Sequence, residues 1–344
     1  MLDFNYSISA RDVLTHPDIS ARLNTMRRAG VNHLWLFGYF YGHHESTPEE
    51  IARARARLLE EGFATGVISL PVGHPGNSLD PGDAALELRL PESWRYRVDR
   101  QGRPVYFCAD IEETMTRDNL AAAQMYAEMG FDRMFFDDDL RMGNWGPETQ
   151  GCFCDECIAR FNERFGRHET RSTLAAAALR EPGTDELRLK WEQFNCDKVT
   201  DFVAATRIEG VTGGIMLMHA GGREHGLSVP DLRRVAPDYA FRVGEAHFND
   251  ADYDAPGGRA SLAASVRAQL RLIGDAPAYS ESTVFPMGEL SPANYLDKIY
   301  LELSLGLRHI FLMSGTRFLE EQYWRMLTER RAALEEFALA LDEG

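Results

Sequence analysis

Eight short apolar runs, separated by longer amphipathic stretches, constrain this chain more than any other feature of its sequence. They occupy residues 2–8, 31–40, 63–70, 131–138, 214–219, 239–246, 277–283 and 308–314. This alternation is the pattern of parallel strands joined by helices. The stretches 12–28, 48–61, 117–129, 185–208, 262–273 and 292–305 read as helices. Ser46-Thr47-Pro48-Glu49-Glu50 sets a capping hydroxyl ahead of proline and acids. Gly30, Gly62, Gly130 and Gly210 stand where helices would end before the next strand. Eight strands each followed by a helix predict a (β/α)8 TIM barrel, one α/β domain over residues 1–344. An open doubly wound sheet is the alternative, but no glycine-rich phosphate turn follows the first run.

Two connections exceed what a barrel needs, residues 72–114 and 141–183. Both follow C-terminal strand ends, so both belong over the catalytic face. The first holds a hairpin over 94–108 that turns at 99–102. The second holds Cys152-Phe153-Cys154-Asp155-Glu156-Cys157, three thiols on a tight turn ahead of a helix at 158–165. That spacing suits tetrahedral capture of Zn2+, and Cys108 on the hairpin is the candidate fourth ligand. A closed shell of four thiolates would be structural, because no position remains for water. A set of free thiols is the alternative, disfavoured because clustered thiolates without a metal oxidise readily. Cys196 falls in a helix and reads as core packing.

The net charge of −16 argues against nucleic acid or an anionic membrane as partner. The first residues lack the basic and apolar regions of a signal peptide, and no run is long enough to span a membrane. A cytoplasmic protein with cysteines as thiols or metal ligands is the expectation.

Met134-Phe135-Phe136-Asp137-Asp138-Asp139, the following Cys-x-Cys-x-x-Cys and the single upstream cysteine together resemble family 42 glycoside hydrolases. Closer still are uncharacterised family-42-like hydrolases with Asp-Asp-Asp-x-Arg before the cysteine run. The resemblance covers the barrel and not the family's further C-terminal domains, including the trimerisation domain. It implies zinc held by Cys108, Cys152, Cys154 and Cys157. It also implies an acid/base ending strand four and a nucleophile ending strand seven. The family's Asp-Asn-Glu acid motif falls on Asp137, Asp138 and Asp139, which puts Asp139 at the acid position and Asp138 at the sugar-contacting asparagine. Glu281, in Tyr279-Ser280-Glu281-Ser282, takes the nucleophile position.

Elementary chemistry agrees with that placement. Glycosidic cleavage needs one carboxyl to protonate the leaving oxygen and another to attack carbon or activate water. Carboxylates at the C-terminal ends of barrel strands converge on one pocket. Three adjacent aspartates repel one another, which tends to keep one protonated. The run could equally be a solvated turn or a calcium loop, and Glu281 a buried salt-bridge partner. Arg141 would neutralise the aspartates or bind a substrate carboxylate. Trp35, Tyr39, His43, His74, Trp145, His219, Glu245 and His247 stand at or near strand ends, where rings stack on sugar faces and polar groups meet hydroxyls. Barrel packing is the alternative reading for Trp35 and Tyr39.

Three functions fit: a glycosidase acting on a small carbohydrate; a metal-dependent sugar isomerase, epimerase or lyase using Asp137–Asp139, His219, Glu245, His247 and Glu281 as ligands; or a barrel that only binds carbohydrate. A homo-oligomer is compatible with each.

Overall fold

All eight apolar runs form strands of one barrel. They are β1 (Asp3–Ile8), β2 (Val31–Phe40), β3 (Ala64–Leu70), β4 (Arg133–Phe136), β5 (Thr212–Met216), β6 (Ala240–Val243), β7 (Ala278–Ser280) and β8 (His309–Met313). The computed structural model describes residues 2–73, 79–83, 89–137, 140–143, 150–181, 183–217, 222–313 and 317–343. Each strand pairs in parallel with the next, and β1 pairs with both β2 (Tyr6↔Leu34) and β8 (Phe4↔Ile310). That double pairing closes the sheet and rules out the open alternative.

The barrel is filled by an aromatic layer. Trp35 lies 4.8 Å from Phe135 and 5.7 Å from Phe311 between ring centres, and Phe135 lies 5.1 Å from Tyr279. The strands between leave room by carrying glycine. A Cβ on Gly66 would lie 2.4 Å from the Trp35 ring, and one on Gly214 would lie 2.3 Å from Phe135. Interiors are close-packed, so such rings need neighbours without side chains.

Some helices begin or break differently from the sequence reading, among them Gly258–Ile273, which starts four residues ahead of the stretch 262–273. The stretch 12–28 is two helices, Ala10–Thr15 and Ile19–Ala29, because Pro17 restricts His16 to an extended conformation. The next difference is at Glu113–Glu128, which starts early since the Glu112 carboxylate accepts the N–H groups of Thr114 and Met115. The expected hairpin is present, with Tyr96–Val98 antiparallel to Pro104–Ala109. Its turn is held by the Asp99 carboxylate, which accepts from the N–H groups of Gln101 and Arg103. The cysteine turn leads into the helix Asp155–Phe165. Phe153 N–H donates to Val98 O at 2.9 Å, so the two long excursions join over the barrel. Among the described residues, no helix is long and apolar enough to cross a membrane.

Candidate functional site

Asp137 directly follows β4 and Glu281 directly follows β7, where a barrel delivers side chains to its mouth. Both are buried, and between them lies Arg242 of β6, only 1% exposed. Arg242 Nη1 is 2.6 Å from Asp137 Oδ2, and Nη2 pairs with Glu281 Oε2. The guanidinium lies over the Phe311 ring, 4.9 Å from its centre. The aromatic layer is thus a floor, an arginine rests on it, and carboxylates from two strands close on the arginine. Thr283 Oγ1 donates to the other Glu281 oxygen. A rigid guanidinium fork can hold two carboxylates in fixed orientations at once, which lysine cannot. Sequence reasoning missed Arg242. Its signal was a charge inside the apolar strand Ala240-Phe241-Arg242-Val243, since arginine is seldom fully buried without partners.

A second buried pair backs this mouth from the helix Pro292–Ser304. Glu302 accepts from Ser282 Oγ at 2.6 Å, beside Glu281, while Lys298 Nζ donates to Ala246 O at 2.9 Å, beside Glu245. Ala246 and His247 both have positive φ, so the Lys298 bond ties down a strained backbone. Burial pulls the Lys298 ammonium down to about 8, with Glu302 and Glu245 opposing it. The ordinary lysine value is 10.5. Between those two values the unfolded chain binds the extra proton, so stability rises with pH across the window. Lys298→Met is expected to remove this rise. Urea unfolding of both proteins at about pH 8 and about pH 10 measures it, and parallel slopes would contradict the assignment.

The other candidates divide. Asp138, Asp139, His74, Trp145 and His219 lie outside the described residues. Trp35 corrects the expectation of a sugar contact: it is fully buried in the barrel floor and donates its Nε1–H to Asn5 Oδ1 at 2.8 Å. The Tyr39 ring lies tilted 5.0 Å from His44 and edge-on 6.3 Å from Trp94, and His43 Nε2 bonds Arg89 O. These two side chains tie the end of β2 to the first excursion. Arg141 is buried, and its Nη1 lies 3.2 Å from His225 Nδ1. Glu245 and His247 are half-buried, and burial lowers the His247 pKa, with Lys298 adding to the effect.

The cysteine turn gathers a different donor set from the one the sequence suggested. Ligand atoms of Asp110, Cys152, Cys154 and Cys157 all lie within 4.8 Å of one another. Cys108 is not in this group. It sits two residues before Asp110, beside the charges of Arg97, Asp110 and Arg141, and burial pushes its thiol up to about 11. Val98 N–H donates to Cys152 Sγ at 3.5 Å and Cys157 N–H to Cys154 Sγ at 3.4 Å. Hydrogen bonds from Cys152 and Cys157 hold the Cys154 thiol well below the usual cysteine range, while burial raises that of Cys152. Lys198, fully sequestered, pairs with Asp110 at 2.5 Å. Burial opposes its charge, but Asp110, Cys157 and Cys152 hold its pKa above the usual lysine range. Three thiols and one carboxylate within this span can hold a metal ion, and the set suits a soft-to-borderline divalent cation. Cys196 is buried in its helix as expected.

The strand pairings define the protein as a closed (β/α)8 barrel with a buried carboxylate–arginine cluster at its mouth and a thiol-rich group beside it. No family model matches this chain, and no curated protein matches it. Among solved structures it is similar to a xylose isomerase domain protein from Planctomyces limnophilus. That likeness covers 99% of this chain and 98% of that one, at 9% identity and a TM-score of 0.44.

Proposed function

We propose that this barrel is a glycoside hydrolase of the family-42-like kind, acting on a small glycoside or oligosaccharide. The observation that carries the reading is the convergence of Asp137 and Glu281, from β4 and β7, on one buried arginine at the catalytic end of the barrel. Glu281 serves as nucleophile or base, and the 137–139 run supplies the acid, with Asp139 at the position the resemblance assigns. Arg242 and Thr283 hold the Glu281 carboxylate in one orientation, as attack on a single carbon requires. Arg242 also puts a fixed positive charge where a divalent cation bridging Asp137 and Glu281 would sit, which favours hydrolysis over metal-dependent isomerisation. Zinc held by Cys152, Cys154, Cys157 and Asp110 would be structural: it would fasten the two excursions and take no part in bond cleavage. A cytoplasmic setting keeps such thiols reduced.

The test is hydrolysis of a panel of nitrophenyl glycosides by the wild type, Glu281→Gln and Asp139→Asn, with and without chelator. Each substitution is expected to lower turnover by about 10²–10⁴-fold. Turnover on no sugar, or activity untouched by both changes, would sink the reading. Activity lost to chelator and restored by manganese or magnesium would replace it with the isomerase or lyase.

A further inference from the structure

Asp110 offers its two oxygens to different partners. Oδ2 faces the thiols, 3.3 Å from Cys157 Sγ, and Oδ1 faces Lys198 Nζ at 2.5 Å. Lys198 Nζ also reaches Cys157 Sγ at 3.2 Å, and Arg95 Nη2 stands 3.8 Å from Asp110 Oδ2. The group is deep: Asp110, Cys152 and Cys157 are each 1% exposed, and only Cys154 is half-exposed. Three thiolates and a carboxylate around a divalent ion leave two uncompensated negative charges. Burying them in a protein interior is costly unless cations lie within contact. Lys198 and Arg95 are those cations, one on each side of Asp110. Both of these cations also line a cleft of about 770 Å³, together with Glu156 and Arg160 among others.

We infer that the metal centre is a three-thiolate, one-carboxylate site in which Asp110, not Cys108, is the fourth donor, with Lys198 as its buried counter-cation. This rests on the reading of the group as a zinc site. Lys198 occupies Oδ1 and leaves Oδ2 for the ion, so Asp110 binds through one oxygen. Second-sphere partners of this kind orient the ligand and tune affinity. Lys198 is a positioning residue here and touches no substrate.

Cobalt(II) reports the donor set directly, because each thiolate adds to the sulfur-to-cobalt charge-transfer band. The full-length chain, purified under reducing conditions and stripped of metal, is titrated with cobalt(II) and then with zinc. Wild type and Cys108→Ser are expected to bind one equivalent with bands of equal intensity. Asp110→Cys should raise the band by about a third, as a fourth thiolate joins three. Lys198→Met should keep the band but weaken metal affinity by about 10–100-fold, while Lys198→Arg should recover part of the loss. Circular dichroism of each metal-free variant separates weak binding from a chain that fails to fold. A band lowered by Cys108→Ser and unchanged by Asp110→Cys would overturn the inference while leaving a zinc site of four thiolates standing. A wild type that binds no cobalt or zinc would overturn both.

Discussion

Replacing Arg242 by methionine should lower the unfolding free energy by about 3–5 kcal/mol, the scale seen when one member of a buried ion pair is removed. Asp137 and Glu281 would then be left facing each other in the barrel without their shared cation. The Trp35, Phe135 and Tyr279 rings beneath them carry no positive charge that could take its place. Most of the loss would come from the stranded carboxylates and not from the arginine's own packing. The triple variant Arg242→Met, Asp137→Asn, Glu281→Gln is therefore expected to regain much of the lost stability while remaining inactive. Urea unfolding of the wild type, the single variant and the triple variant measures both steps. Equal stability of the wild type and Arg242→Met would mean that the cluster carries little energy. A triple variant as unstable as the single one would place the loss in packing. Activity should fall in every case, since Glu281 loses the partner that orients it.

Withdrawal of the metal, or Cys154→Ser, should be the second large effect, and it should be local. Zinc sites of this kind contribute folding energy directly, because the ion binds the folded arrangement and not the open chain. The ion would join residues 110 and 152–157, which fasten the hairpin to the second excursion. The barrel closes through its own strand pairings and does not use these donors. Hydrogen exchange should therefore speed up across 96–110 and 150–165 in the metal-free protein, while β1–β8 keep their protection. The melting temperature should fall by several degrees, since each 1 kcal/mol shifts it by roughly 2–4 °C in a large domain. Uniform loss of protection would make the centre part of the global fold, and no change on metal removal would leave the thiols without a structural role.

Much of this was legible in the sequence. The eight apolar runs became the eight strands, and the hairpin and the cysteine turn formed where turn chemistry placed them. Helix boundaries were less legible where local side chains intervene: Pro17 splits one helix, and the Glu112 carboxylate starts another early. Of the proposed site, Glu281 stands at the strand end that pointed to it, while the two readings left open for Trp35, sugar contact or barrel packing, were separated only by its burial in the barrel. Residue type and period cannot separate an aromatic that fills a barrel from one that lines its mouth, since both sit on inward-facing strand positions.

By itself the sequence determined the parallel barrel, its two excursions and the thiol-rich turn, because these follow from local periodicity, turn residues and spacing. Only the tertiary structure decided which charges meet. Asp137, Arg242 and Glu281 are far apart in the chain and come together only when β4, β6 and β7 take their places in a closed sheet. The same holds for Asp110, set against Cys157 and Lys198 by the packing of a hairpin on two helices. Burial then obliges each of these charges to find a partner, and that requirement, invisible in local pattern, selected the clusters.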